Sequence, residues 1–298
     1  MRICYQPEVY LVAKSMLDGD VLSFLRDQRL EWRPTNRLTD PDGSSPTDSE
    51  QLTELAGRVC YMSFGKKAGS KTNRAYIDNL LGRKADGSFS EGPAHGSVLE
   101  HATFSFLVIG AGRGFSHEQV RHRAGWAYSQ LSTRYCDFER AEEQEGTWDP
   151  GFTIPPLGQL SSTTIELFEG SHRDALSKYR IILESIENDL REDEVFMEKL
   201  AVYPEKEQKR MLRKAARGAA RDALPNGTEA IMVMSANARA IWNTIYLRAS
   251  EHAEGEIRSV YVQIARIMQL EMPNVFRGLQ FVELWDGSEA VIMPRDKL

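Results

Sequence analysis

Along residues 101–111, HATFSFLVIGA, the apolar side chains Phe104, Phe106 and Val108 fall at every second position among other β-formers. That period predicts a strand with one buried face. Elsewhere the period lengthens. Residues 163–190 carry Ile165, Leu167, Phe168, Leu176, Tyr179 and Ile182 at helical spacing with charge between them, so an amphipathic helix is expected. A helix is also predicted over SEQLTELAGRVCYM (49–62), and another over residues 204–224, where Pro204 suits the first helical position. The lysines and arginines of that second helix read as a solvated face, with Arg221 at its end set apart. EAIMVMSA (229–236) reads as a buried strand, and from Asn237 one long helix is predicted to reach Met272 and stop at Pro273.

The connections are turn-rich: TDPDGSSPTDSE (39–50), then glycine-, lysine- and serine-rich runs at 65–74 and 82–96. Ser116 followed by Gln119 resembles a capping box. A short helix should therefore carry the first arginines of RHRAGWAYSQLSTRY (121–135), with the rest on the turn after it. No repeat of 20–50 residues is visible, and strands and helices do not alternate as βαβ units. An α+β fold with a mixed sheet and long helices is the expectation.

Composition narrows the classes. The 298 residues are 41% hydrophobic and 27% charged, ordinary for a globular protein. There is no apolar run of about 18 residues and no leader-like start, so neither a membrane nor a secretory route is expected. Cys4, Cys60 and Cys136 are far apart with no CxxC pair, which favours reduced thiols in a cytoplasm. A net charge of −6 argues against general nucleic-acid binding, so each basic cluster needs its own explanation.

Arg113, Arg121, Arg123 and Arg134 are interleaved with Ser116, Tyr128, Ser129, Gln130 and Ser132. Arginine forks pair bidentately with phosphate, and the polar residues suit the edges of a base. The same spacing also fits an arginine-rich helix paired with Glu118, Asp137 and Glu139, and the pattern does not choose. Arg248 and His252 stand four apart on the predicted long helix, after Asn237, Arg239 and Asn243; surface ion pairs of Arg248 with Glu251 and Glu254 are the alternative. His95, His101, His117 and His122 match neither HExxH nor a zinc-finger spacing, so no metal is expected. GAGRGF lacks the third glycine of a dinucleotide fingerprint.

The blocks RHR (121–123), SQLSTRY (129–135), RDALPNGTE (221–229) and NARAIWNTIYLRASEHAEGEIR (237–258), in this order, resemble the flavin-dependent thymidylate synthase family from about residue 58 to 276. The resemblance implies a single domain over 1–298, with a divergent extension at 1–55 and the family core at 56–280. It implies a homotetramer whose flavin sites draw on more than one subunit. It also implies FAD, with methylenetetrahydrofolate and NADPH as co-substrates, in C5 methylation of dUMP. By position, Arg121, His122 and Arg123 match flavin contacts, as do Ser63, His101, Thr103, Gln130, Asn237, Arg239, Asn243 and His252. Arg113, Glu118, Gln119, Arg121, Gln130, Leu131, Ser132, Thr133, Arg134 and Arg221 match nucleotide contacts, and Arg248 matches the arginine that activates the pyrimidine. The chain departs from the pattern between Arg123 and Ser132, where one residue is added and AGWAY lacks a serine. That loop motivates a pocket admitting UMP as well as dUMP, with a UMP-preferring methylase of a nucleoside-antibiotic pathway as an alternative. A non-enzymatic nucleotide- or RNA-binding module is the rival class.

Overall fold

In the computed structural model, residues 2–30, 32, 43–65, 71–91, 94–136, 151–296 and 298 are described. The strands are β1 (Ile3–Cys4), β2 (Glu8–Lys14), β3 (Thr103–Ile109), β4 (Trp126–Gln130), β5 (Phe152–Thr153), β6 (Met232–Asn237), β7 (Gln280–Glu283) and β8 (Glu289–Ile292). The helices are α1 (Gly19–Asp27), α2 (Asp48–Tyr61), α3 (Asn73–Leu81), α4 (Arg113–Gln119), α5 (Ser162–Glu192), α6 (Glu194–Leu200), α7 (Glu205–Ala220), α8 (Ala238–Arg248), α9 (Gly255–Glu271) and α10 (Pro273–Phe276). The expected α+β class holds. The chain divides into two compact units, the first from residues 1–7, 109–118 and 129–232, the second from residues 8–108, 119–128 and 233–298.

In the first unit β1 pairs in parallel with β5. Helix α5 begins at Ser161, whose side chain accepts from the Thr164 N–H, and it packs on α7 through Tyr179, Leu183, Ala216 and Ala220. The two alanines let the helices approach closely. Pro204 is the residue before α7 rather than its first turn. The unit is knit by one buried carboxylate. Glu229 accepts from the backbone N–H of Gly110 at 2.6 Å and of Gly151 at 2.8 Å, and pairs with Arg2.

Most of the second unit's strands form a sheet ordered β2-β3-β6-β4. Phe104, Phe106 and Val108 are all buried on β3, as their period requires. The strand expected at 229–236 starts only at Met232, and its burial alternates because one face carries Val233 outward. Helix α2 starts earlier than its apolar pattern suggested, because Thr47 and Glu50 close a capping box inside the stretch read as loop. Within the unit, Glu54 accepts from Trp32 Nε1 (2.9 Å), Arg58 Nε (2.7 Å) and Asn73 Nδ2 (2.8 Å), so its buried charge is fully engaged.

Two expectations fail here. The single helix from Asn237 to Met272 is two helices, α8 and α9, separated by residues 249–254. Buried Arg258 donates to the carbonyls of Ala253 (2.8 Å) and Glu251 (3.3 Å), and the Val291 N–H donates to that of Ala249 at 2.7 Å. A side chain and a strand N–H thus take carbonyls that a continuous helix would use. The expected stop at Pro273 holds, since α9 ends at Glu271, and Pro273 itself opens α10. The second failure concerns Ser116, which lies inside α4, its hydroxyl donating back to the Arg113 carbonyl at 3.2 Å. It caps nothing, and Arg121 and Arg123 follow the helix rather than sitting on it.

Candidate functional site

In the second unit α4 ends at Gln119, a turn carries Arg121, His122 and Arg123, and β4 follows. The segment read as a loop between Arg123 and Ser132 is therefore mostly strand. Gly125 fixes the turn. Its φ is +74°, its carbonyl accepts from Asn237 N, and a Cβ there would lie 2.9 Å from Ala240 Cβ. Asn237 in turn starts α8, its side chain accepting from Ala240 N at 2.9 Å. Trp126 Nε1 donates to Thr244 on the same helix at 3.1 Å.

Gln119 is buried, and both ends of its amide are taken. Its Nε2 donates to the Tyr128 hydroxyl at 3.0 Å, and its Oε1 accepts from the Tyr261 hydroxyl at 2.7 Å. The Tyr128 hydroxyl also lies 2.5 Å from the His122 carbonyl. Burial pushes Tyr128 up to about 12 and Tyr261 well above the ordinary phenol range, so both hold their protons. These tyrosines, 133 residues apart in the chain, brace the arginine–histidine–arginine turn; Tyr261 carried no sequence signal of this.

Arg248 is the last residue of α8, and its Nε donates to His122 Nε2 at 2.9 Å. A guanidinium cannot accept, so the imidazole must offer a lone pair at Nε2 and carry its proton on Nδ1. Burial, then the charges of Arg248 and Arg121, hold His122 below the usual histidine range. The result is a fixed guanidinium facing a neutral imidazole, with exposed Arg121 and Arg123 on the same turn.

The other candidates of this unit scatter. Because α8 stops at Arg248, His252 does not share a helical face with it; His252 is exposed, 3.7 Å from Glu251. Arg239 pairs with Glu100 at 2.7 Å, Thr103 exchanges hydrogen bonds with Ser15, and His101 is exposed. Ser63 lines a separate cavity of about 480 Å³ with Tyr61, Tyr76 and His95. Asn243 Oδ1 is buried without a hydrogen-bond partner among the described residues. That orphaned acceptor, with the cations of the turn, fits a flavin, whose ring carries N–H donors and whose reduced form and pyrophosphate are anionic.

In the first unit the Leu131 N–H donates to the Ile231 carbonyl at 2.8 Å, and the Ser132 carbonyl accepts from Tyr135 N and Cys136 N, turning residues 132–136 tightly. Thr133 is buried, and exposed Arg134 lies over the Tyr135 ring at 5.6 Å. Arg113 and Glu118 sit half-buried on α4, and Arg221 begins the short turn Arg221–Ala223 in the open. Gln130 ends β4. Burial raises the Cys136 thiol while Arg217 lowers it less, so no thiolate forms at neutral pH. Cys136→Ala should leave turnover intact in a steady-state assay; complete loss would mean covalent catalysis by this thiol. Among the described residues no group of histidine, cysteine, aspartate and glutamate could hold a metal, and no helix is long and apolar enough to cross a membrane.

The family model described as thymidylate synthase complementing protein matches residues 44–274. A flavin-dependent thymidylate synthase of Mycobacterium sp. (strain KMS) is 34% identical over 258 residues, covering 85% of this chain and 90% of that protein. The one from Mycolicibacterium gilvum (strain PYR-GCK) is 32% identical over 287 residues, covering 96% and 95%. Among solved structures, a UMP/dUMP methylase, PolB from Streptomyces cacaoi bound with 5-Br dUMP, shares the fold at a TM-score of 0.55 and 17% identity, covering 93% of this chain and 95% of that one.

Proposed function

From the premise that the chain belongs to the flavin-dependent thymidylate synthase family, methyltransferases that use FAD with methylenetetrahydrofolate and NADPH as co-substrates, we propose that it methylates C5 of dUMP and also accepts UMP. The family match runs through both compact units, which supports one functional core. A homotetramer with composite sites belongs to the same proposal.

The observation that carries it is the Arg248–His122 pair. Uracil C5 is a weak nucleophile until negative charge builds on N3 and the carbonyl oxygens. A guanidinium already oriented stabilises that charge in the transition state without reorganising. The bound flavin would supply the reducing electrons. Arg121, His122, Arg123, Asn237 and Asn243 would hold it, the cations favouring its anionic reduced form. Ser132, Thr133, Arg134 and Arg221 would receive the nucleotide phosphate, arginine forks and backbone N–H groups being its natural partners. No side chain here has to act as a nucleophile.

UMP acceptance draws on the added residue between Arg123 and Ser132, and on the UMP/dUMP methylase that shares the fold. A 2′-hydroxyl is hard to exclude without a dedicated clash, as the ~10²-fold rejection of an added hydroxyl by a synthetase illustrates. Purified protein should show a flavin absorbance spectrum and convert dUMP to dTMP with both co-substrates. Colourless protein with salt-steep RNA binding would favour a binding module instead. A preference for dUMP over UMP above about 10⁴ in kcat/KM would end the dual specificity.

A further inference from the structure

One face of α7 presents Lys206, Lys209, Arg210, Arg213, Lys214 and Arg217, at helical spacings of three and four residues. Sequence alone marks this as a solvated face. In the folded first unit the face is mostly exposed and also forms one wall of a groove of about 600 Å³ that Arg134 and Tyr135 close on the other side. Among the described residues, seven cations line the groove against one carboxylate, Glu207, in a chain whose net charge is −6.

Part of this charge is already answered. Arg210 pairs with Glu207, and Lys209 with Glu205 at 2.6 Å. Arg217 Nη1 donates to the Tyr135 carbonyl at 3.2 Å, and Lys214 lies over the Tyr135 ring. Lys206 and Arg213 are exposed and form no ion pair among the described residues. The stripe from Lys206 to Arg217 extends about 16 Å along the helix axis. That far exceeds the reach of a nucleotide's terminal phosphates. A single-stranded nucleic acid would need stacking platforms, and among the described residues Tyr135 is the one aromatic lining the groove. The ligand that fits is a flexible chain of regularly spaced carboxylates. A γ-linked glutamate chain has two more backbone carbons per unit than an α-peptide, so roughly three units cover such a stripe.

We propose that this groove receives the oligo-γ-glutamate tail of the folate co-substrate. The inference rests on the methylation reading above, because that reaction brings a glutamate-bearing folate to this chain. The tail adds affinity, not chemistry, and its effect is weakened by salt, because the contacts are exposed.

The test compares KM for methylenetetrahydrofolate bearing one or three glutamates, in the wild-type holoenzyme and in a Lys206→Glu/Arg213→Glu variant. Exposed ion pairs are individually weak, so the triglutamate should lower KM about tenfold in the wild type. The ratio should fall near one in the variant, with kcat for the monoglutamate unchanged. A Lys206→Gln/Arg213→Gln variant gives the same reading should charge reversal disturb folding. Equal KM values in the wild type, or a tail effect surviving both variants, overturn the proposal. So does binding of tripolyphosphate that the variants abolish, without any tail effect; the groove would then be a phosphate site. Monoglutamate turnover with dUMP keeps the methylation reading alive whatever the tail does. Where no folate turns over, that reading fails by itself, and titration of free tri-γ-glutamate by calorimetry decides the groove: heat lost in the variants supports it, and no heat overturns it.

Discussion

Replacing Arg248 with lysine should slow single-turnover methylation by about 10²–10³-fold, the scale seen when one preorganised charge-stabilising donor is removed. Arginine does two things at this position that lysine cannot do together. Its Nε is spent on His122 at 2.9 Å, which fixes the plane of the guanidinium fork. A lysine ammonium that reached His122 would be a compact charge on a flexible stem, with no planar pair of donors to offer. Near-wild-type rates in Arg248→Lys would remove the proposed role. The pH dependence follows from the same pair. His122 titrates below its unfolded value of about 6.5, so its contribution to stability is complete above that pH and is lost as pH falls through the folded value. Protonation also removes the lone pair that orients Arg248, so the acid limb of kcat should move in His122→Asn.

The second large effect is on stability. Glu229→Ala should cost about 3–5 kcal/mol in urea unfolding, the usual result of stripping one partner from a buried charged network. Both carboxylate oxygens are engaged, by two glycine N–H groups and by Arg2, and alanine would leave the two buried N–H groups without this acceptor. Glu229→Gln keeps one acceptor but turns an amide N–H toward a donor, so it should fall between alanine and wild type. A loss below about 0.5 kcal/mol in Glu229→Ala, typical of a surface change, would show that water replaces the carboxylate.

The parts of this molecule that sequence revealed are those governed by neighbours in the chain. The period of Phe104, Phe106 and Val108 places β3, and the spacing around Tyr179 places α5. The gap inside the predicted helix from Asn237 was hidden because its cause is tertiary: the side chain of Arg258 turns back on the carbonyls of Glu251 and Ala253, and Val291, from outside the stretch, claims that of Ala249. Ser116 misled because the same Ser-x-x-Gln spacing occurs where a hydroxyl merely bonds back to its own helix. The strand Trp126–Gln130 is too short and too polar to announce itself. For the site, the resemblance supplied the residue types. It could not supply the pairing of Arg248 with His122, or the tyrosines holding Gln119, since those partners meet only after folding. The cationic stripe on α7 was visible as spacing, but nothing local says that it faces Arg134.

The gap between α8 and α9 also bears on how this chain tolerates so much like charge. Ending α8 at Arg248 leaves its last carbonyls gathered beside that residue, a terminus with a partial negative charge of about half an electron. That macrodipole favours the positive charge of Arg248, by about 0.5 kcal/mol. Splicing helix formers across 249–254 to heal the interruption would carry this negative end away from Arg248.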